Sequence, residues 1–318
     1  MGLEVWQAVV LGLVEGITEY LPISSTGHLI LASSLMGLDT PERKAAVDAF
    51  NIVVQGGAIL AVVTLYWPSC LRMLRGLLGK DPGGFKLLVM LVTAFVPSAV
   101  LGVLLKSTIE KHLFHAVPVL AAIVAGGVFM IVLDWRQRGR LGRTKSSLGE
   151  KTIDDLTLTD ALVIGLLQCL AMWPGTSRSM MTITGGMIVG LRPKAAAEFS
   201  FLLGLPTLTA ASLYTLAKDL HHAHDTGGQS FYQVLGLMPT LVGLVVAAVS
   251  AGAAVKFLVA FLSKHGLGVF GWYRLVLAAV LMALMAAGVV TLRPHGSTDP
   301  NQTQRTIQPM KWERPPTP

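Results

Sequence analysis

The chain carries, within its first apolar run, the stretch Glu15-Gly16-Ile17-Thr18-Glu19-Tyr20-Leu21-Pro22-Ile23-Ser24-Ser25-Thr26-Gly27-His28. The surrounding run, from Val5 to about Leu35, otherwise has the composition of a membrane span. Two glutamates, a proline, three adjacent hydroxyls and a histidine are foreign to a span, because a charge near the bilayer centre costs at least roughly 2.5–3.5 kcal/mol. The stretch therefore predicts a polar site enclosed by protein.

The spacing of these polar residues predicts a helix that breaks. Glu15 and Glu19 are four residues apart and share one helix face. Pro22 lacks an N–H and disfavours a helical conformation at Leu21, so the first half-helix should end there. The hydroxyl residues that follow are good N-caps for a second half-helix: Ser24, Ser25 and Thr26. Backbone N–H groups at such an N-terminus form an anion site.

The composition is that of a membrane protein. Of the 318 residues, 53% are hydrophobic and 14% are charged. The formal net charge of +7 could indicate nucleic-acid binding, but the basic residues lie mainly in short segments between apolar runs. We therefore attribute the charge to membrane topology and expect no nucleic-acid partner.

Apolar runs divide the chain into two halves. We predict an all-α polytopic membrane protein with about six spanning helices and two re-entrant broken helices. The expected spans are Phe50–Trp67, Lys86–Leu105, Val117–Leu133, Glu198–Ala217, Gln233–Val255 and Gly268–Leu292. Residues 1–133 would form a first membrane repeat, 134–159 a basic cytoplasmic linker, 160–292 a second repeat, and 293–318 a polar, disordered tail.

A second broken segment supports the internal repeat. The apolar run that restarts at Asp160 is interrupted by Pro174-Gly175-Thr176-Ser177-Arg178-Ser179. Ala8-x3-Gly12 before the first break is echoed by Ala161-x3-Gly165 before the second. Paired interrupted segments in matching places of two halves are typical of repeat-built membrane proteins with a site at the repeat interface.

The distribution of basic residues predicts the orientation. If both broken segments are re-entrant, one side of the membrane carries fourteen lysines and arginines and the other side carries five, outside the tail. The positive-inside rule places the fourteen in the cytoplasm. The two halves then have inverted topologies, and the first broken segment enters the membrane from outside.

Arg178 adds a cation to the second break. An arginine in an apolar bundle needs an anion, and its planar fork suits phosphate. Together with two half-helix N-termini, hydroxyls, a histidine and two glutamates, it indicates phosphoryl chemistry or anion transport.

The two motifs, Glu15 to His28 and Pro174 to Ser179, resemble those of the bacterial undecaprenyl-diphosphate phosphatase family of the bacitracin-resistance type. The resemblance extends from about Val5 to Leu292. It implies hydrolysis of undecaprenyl diphosphate to undecaprenyl phosphate and phosphate, which recycles the lipid carrier for peptidoglycan synthesis and confers bacitracin resistance. It also implies a multi-pass protein of the inner membrane whose site opens to the outer, periplasmic face.

The motifs and the resemblance select the candidate site. The expected catalytic residues are Glu15, Glu19, Ser25, His28 and Arg178. The expected phosphate-binding residues are Ser24, Thr26, Gly27, Thr176, Ser177 and Arg178. Ser25 is our first choice of nucleophile, activated by His28 or Glu19. His28 as nucleophile or general acid stays open, and so does a divalent cation, Mg²⁺ or Ca²⁺, held by Glu15 and Glu19.

The competing function is an inverted-repeat transporter or lipid-phosphate flippase, because broken helices are also transporter architecture. A hydroxyl nucleophile beside a histidine and a carboxylate favours the enzyme. A polyprenyl diphosphate lipid and the bilayer are the expected partners, and a homodimer is left open. Arg274, which follows Trp272 and Tyr273, is predicted to be an interfacial anchor.

Overall fold

The computed structural model describes residues 3–38, 41–137, 150–226 and 236–290. Within these ranges the chain is helical, with eleven α-helices, one short 3₁₀ helix and no named strand. The helices are α1 Val5–Tyr20, α2 Ser25–Leu35, α3 Pro41–Leu65, α4 Trp67–Leu77, α5 Pro82–Leu113, α6 Ala116–Gln137, α7 Leu158–Leu170, α8 Arg178–Ile188, α9 Pro193–Thr226, α10 Leu237–His265 and α11 Gly268–Ala286. The predicted tail, residues 293–318, lies outside the described residues.

Five helices in the described part of the chain are long and apolar enough to cross a membrane. They lie within α5, α6, α9, α10 and α11. A sixth span is available if α3 and α4 are counted as one, although the chain bends by 80° between them. The bend falls at Tyr66, directly before a helix that has proline in its first turn. The all-α polytopic prediction with about six spans is thus confirmed.

The bend corrects one detail of the predicted topology. Phe50–Trp67 was expected to be one span, with Arg72 and Arg75 in the loop after it. Both arginines instead lie on α4, where Arg72 forms ion pairs with Asp81 at 3.7 Å and Asp154 at 3.0 Å. The chain therefore turns after α3 into a short helix that carries charged side chains.

Both predicted breaks are present. α1 ends at Tyr20, and Leu21 before Pro22 is extended, with φ −73° and ψ 143°. α7 ends at Leu170, and α8 begins at Arg178 after Pro174. At 1.5 Å per residue, the 16-residue α1 is about 24 Å long and the 11-residue α2 and α8 are each about 17 Å. None of them alone matches a hydrocarbon core of about 30 Å.

The helix before each break packs against a helix of the other half. α1 of the first half packs on α10 of the second, whereas α7 of the second half packs on α5 of the first. The echoed glycines make these contacts: a Cβ on Gly12 would lie 2.5 Å from the carbonyl oxygen of Gly243, and a Cβ on Gly165 would collide with that of Ala94. Small residues thus let the backbones approach closely. This exchange agrees with an internal repeat; the inverted orientation of the halves stays a prediction.

The predicted linker, residues 134–159, is partly helical. Asp134 still belongs to α6, and residues 138–149 lie outside the described ranges. At its far end the Lys151 N–H donates to the Gly190 carbonyl at 3.1 Å, and the Arg192 N–H donates to the Lys151 carbonyl at 3.0 Å. The end of the linker is therefore attached to the loop that follows α8.

Candidate active site

The second half-helix of each break begins in the same unusual way. Ser24 precedes α2 and Ser177 precedes α8, and both have a positive φ, 74° and 76°. Each serine hydroxyl accepts a hydrogen bond from a backbone N–H in the first turn, Gly27 for Ser24 and Met180 for Ser177. A non-glycine residue held at positive φ costs of order 1–3 kcal/mol and marks functional sites more often than ordinary turns. The same strained cap thus occurs once in each half.

Glu19 connects the two broken segments. Its Oε2 accepts a hydrogen bond from the Ser25 hydroxyl at 2.9 Å, and its Oε1 accepts one from Arg178 Nη2 at 3.3 Å. The Glu19 side chain is only 5% exposed and that of Arg178 12%. Hydrogen bonds therefore join the Ser25 hydroxyl, the Glu19 carboxylate and the Arg178 guanidinium where α1, α2 and α8 meet.

The Arg178 guanidinium has contacts on several sides, but one of its nitrogens lacks a partner in the part of the chain that the structure describes. Nη1 donates to the Ser200 carbonyl at 3.0 Å, and the guanidinium lies 5.5 Å from the centre of the Tyr20 ring. Gly204 leaves room for it, because a Cβ there would lie 2.9 Å from Nη1. Among the described residues, buried Nε has no hydrogen-bond partner. A buried donor without a partner is costly and indicates a place for an anion.

Gly204→Ala is expected to push the guanidinium aside and lower phosphate release by about tenfold, because a small misplacement of a binding group slows a positioned reaction strongly. Gly252→Ala on α10 is the matched control, since a Cβ there has no neighbour within 4 Å. Both changes remove a helical glycine and so gain the same helix propensity. Equal activity of the two variants would contradict a role for the shape of this wall.

Glu15 supplies a second carboxylate, which is more deeply buried than that of Glu19. It is 1% exposed, hydrogen-bonds to the Gln55 side chain, and lies within the electrostatic reach of Glu19 and Arg178. Its Oε1 has no hydrogen-bond partner in the described part of the structure. Two carboxylates with an orphaned oxygen are the donor type that Mg²⁺ and Ca²⁺ prefer. The described residues contain no group of three or more His, Cys, Asp or Glu that could hold a metal without help from a ligand.

His28 lies on the same helix as Ser25 but has other partners. Nδ1 is 2.8 Å from the Ser24 carbonyl oxygen, and Nε2 is 2.7 Å from the Tyr273 hydroxyl. The hydrogen bonds described for the ring therefore involve neither Ser25 nor Glu19. Of the two bases predicted for the nucleophile, Glu19 is the one in hydrogen-bond contact with it.

The remaining predicted phosphate ligands surround the two caps. Ser24 and Ser177 use their hydroxyls in capping, and the Gly27 N–H is engaged with Ser24. Thr26 follows in the first turn of α2 and is half-buried, whereas Thr176 is 5% exposed. Hydrogen bonds thus join the predicted residues within each break, and the Glu19–Arg178 contact joins the two breaks.

Ser179, the last residue of the second motif, also links the two breaks. Its hydroxyl donates to the Leu21 carbonyl at 3.0 Å and shares a 3.0 Å contact with the Ser177 hydroxyl. Because α1 ends before Pro22, the Leu21 carbonyl has no donor within a helix. The Ser179 hydroxyl, from the other half, donates to it instead. Ser179 is fully buried and serves the joint between the halves.

Arg274 is the residue that the sequence reading misplaced. It is 0% exposed, not interfacial, and donates to four backbone carbonyls: Ala122, Ile123, Gly175 and Thr176, at 2.7–3.1 Å. The interfacial-anchor prediction is therefore wrong. Through Arg274, α11 instead holds the second break against α6. The mostly apolar sequence around Arg274 gives no local sign of these contacts.

A model of the family described as bacitracin resistance protein BacA matches residues 8–280. The chain belongs to this family. Undecaprenyl-diphosphatase 2 of Rhodospirillum rubrum is 46% identical over 286 residues, 90% of this chain and 96% of the relative. An undecaprenyl-diphosphatase of Polaromonas sp. is 41% identical over 289 residues, 91% and 98% of the two chains. One of Sorangium cellulosum is 40% identical over 279 residues, 88% and 86%.

The match to the BacA family includes both breaks and the part of α11 that carries Tyr273 and Arg274, so the site contacts lie inside the matched region. The family resemblance drawn from the two motifs is confirmed. With the apolar helices, it also identifies a multi-pass membrane protein.

Proposed function

We propose that this chain is an integral membrane phosphatase that hydrolyses undecaprenyl diphosphate to undecaprenyl phosphate and phosphate. The observation that carries the proposal is the hydrogen-bonded set Ser25, Glu19 and Arg178, which supplies a nucleophile, a base and an anion ligand. The substrate is that of the related undecaprenyl-diphosphatases. The product would be the lipid carrier of peptidoglycan synthesis, and its recycling would confer bacitracin resistance.

The contacts assign a role to each group. Arg178, whose Nε is free, would bind the diphosphate and stabilise charge on the transferred phosphoryl group. The Ser25 oxygen would attack the terminal phosphorus while Glu19 takes the hydroxyl proton, and the bond to undecaprenyl phosphate breaks. Water then releases phosphate from Ser25. Most of the protein's contribution is positioning and electrostatics, because the leaving phosphate already departs readily.

A divalent cation, Mg²⁺ or Ca²⁺, fits the orphaned oxygen of Glu15. Glu15 and Glu19 would hold it, with diphosphate oxygens completing its ligands, and it would neutralise charge on the diphosphate. EDTA is then expected to lower phosphate release by at least about tenfold, with recovery on adding either ion. An unchanged rate in EDTA, measured after the same treatment of a magnesium-dependent control enzyme, would contradict the cation.

An apolar groove on the outer face of α1 supports a lipid substrate. It lies between α1 and α10, has a volume of about 620 Å³, and is lined by residues that include Leu13, Ile17, Leu21 and Phe257. Ile17 and Leu21 flank Glu19 along the chain. A prenyl chain in this groove would run along α1 to Leu21, where the helix has ended and the first break begins. We place the protein in the inner membrane with the site open to the periplasmic face, as the basic residues predict.

Phosphate release by the purified protein in detergent tests the function. Wild type is expected to release phosphate from undecaprenyl diphosphate and none from undecaprenyl monophosphate. Ser25→Ala, purified in parallel, measures contaminating phosphatase. Absence of release by wild type, with and without added Mg²⁺ or Ca²⁺, would contradict the proposal.

A transporter or lipid-phosphate flippase is the second candidate, because the halves exchange their packing around two broken helices. A transporter has no need of a hydroxyl bonded to a buried carboxylate. In proteoliposomes, movement of undecaprenyl phosphate across the bilayer without phosphate release from the diphosphate would favour this candidate.

A further inference from the structure

Tyr273 of α11 joins the candidate site through His28. The two side chains are 245 residues apart in sequence, yet the Tyr273 hydroxyl is 2.7 Å from His28 Nε2. Their rings are stacked, with centroids 5.7 Å apart and planes inclined by 8°. The opposite ring nitrogen, Nδ1, is 2.8 Å from the Ser24 carbonyl oxygen. Both nitrogens and one face of the imidazole are therefore occupied.

These partners determine where the proton of a neutral His28 lies. A carbonyl oxygen only accepts, so Nδ1 must carry a hydrogen and donate it to Ser24. Nε2 then has a free electron pair and accepts from the Tyr273 hydroxyl. If Nε2 gains a proton, the same hydroxyl oxygen can accept from it, because a phenol both donates and accepts. The contact with Tyr273 is thus compatible with both protonation states of His28.

The position of Tyr273 is fixed by its neighbour. Arg274 is fully buried and bonded to four carbonyls, two of them in the second break. Among the helices packed around His28, α11 also supplies the charged side chain that interacts with His28 electrostatically, Arg274. Tyr273 itself is 45% exposed, so the pair lies at the open side of the site. One dipeptide on α11 therefore contacts both breaks, His28 through Tyr273 and Gly175-Thr176 through Arg274.

We propose that Tyr273 is a positioning residue for His28, which holds the imidazole for proton transfer at Nε2 and withholds it from nucleophilic attack. Attack would need a free electron pair, but Nδ1 carries a hydrogen, and the electron pair of Nε2 is held by the Tyr273 hydroxyl in neutral His28 and by a proton in the cation. The reaction starts with His28 protonated on both nitrogens: Nε2 gives its proton to an oxygen of the departing undecaprenyl phosphate. In the hydrolysis step Nε2 takes a proton from the attacking water, while Glu19 returns its proton to the Ser25 oxygen. The inference rests on the proposed phosphatase function.

Tyr273→Phe keeps the stacked ring and removes only the hydroxyl. We expect kcat for phosphate release to fall about tenfold while KM changes by less than twofold, and the pH profile of kcat to shift. Trp272→Phe, an aromatic change at the exposed neighbouring position on the same helix, is the matched control and should leave kcat, KM and the pH profile unchanged. ¹⁵N chemical shifts of His28, assigned by loss of its signal in His28→Gln, should show the Nδ1–H form in wild type and a mixture of tautomers in Tyr273→Phe.

Two results would overturn the inference while the wild type remains active. One is an unchanged kcat and pH profile in Tyr273→Phe together with unchanged ¹⁵N shifts. The other is acid-labile phosphate trapped on His28 of the wild type during turnover, since that requires attack by the imidazole. An inactive wild type would contradict the phosphatase function itself, and the ¹⁵N shifts would still report whether Tyr273 fixes the tautomer.

Discussion

Ser25→Ala is expected to lower phosphate release from undecaprenyl diphosphate by roughly a thousandfold or more, close to the background of the assay. The Ser25 hydroxyl is the only proposed nucleophile in hydrogen-bond contact with a carboxylate among the described site residues, at 2.9 Å from Glu19. Removing the oxygen atom abolishes the bond to phosphorus itself, whereas removing the base only weakens attack. Glu19→Gln should therefore retain more activity than Ser25→Ala.

The matched control is Ser33→Ala, about two turns further along α2. It makes the same chemical change on the same helix and should keep wild-type activity. If Ser25→Ala retained more than about a tenth of the wild-type rate, attack would come from water or from another residue. The Ser25–Glu19 contact would then serve only to hold α2 in place.

The breaks were predictable because their signals are local. Pro22 acts on the residue before it, and Pro174-Gly175 acts within one turn, so short stretches of sequence suffice. The shared face of Glu15 and Glu19 follows from helical spacing alone, and both residues are buried as expected. Clustered polar residues in an apolar run likewise indicated a site without any knowledge of its walls.

Which groups inside the site bond to each other could not be predicted from the sequence, because this depends on packing between residues that are far apart in the chain. Both Glu19 and His28 lie within a turn or two of Ser25, so spacing left the base undecided. The choice follows from Tyr273, which is 245 residues further along the chain and whose hydroxyl is in hydrogen-bond contact with His28. Positive φ at Ser24 and Ser177 was equally hidden, because serine has no preference for that conformation and adopts it only under tertiary constraint.

Arg274 shows the same difficulty in its strongest form. Its neighbours Trp272 and Tyr273 are typical of a membrane interface, and the rule that predicts an anchor from them is statistical. The actual partners are carbonyls on α6 and in the second break, which become available only when α11 packs against both. A guanidinium can serve four acceptors at once because it has five donors in a fixed plane.

Arg274→Met should therefore destabilise the protein as well as inactivate it. The carbonyls of Gly175 and Thr176 would lose buried donors, at a cost of about 1–3 kcal/mol for each group left without a partner. We expect the melting temperature in detergent to fall by about 5–10 °C and phosphate release to fall at least about a hundredfold, because the second break carries Arg178.

Arg274→Lys separates geometry from charge. Lysine keeps the positive charge in the same buried place, but its three donors radiate from one atom and should satisfy fewer of the four carbonyls. Its melting temperature and activity should fall between those of wild type and Arg274→Met. Arg75→Met, at an exposed arginine on α4, is the control for loss of an arginine as such and should change neither quantity. If Arg274→Met melted and turned over like wild type, the four carbonyls would be satisfied without the guanidinium, and α11 would not be what holds the second break in place.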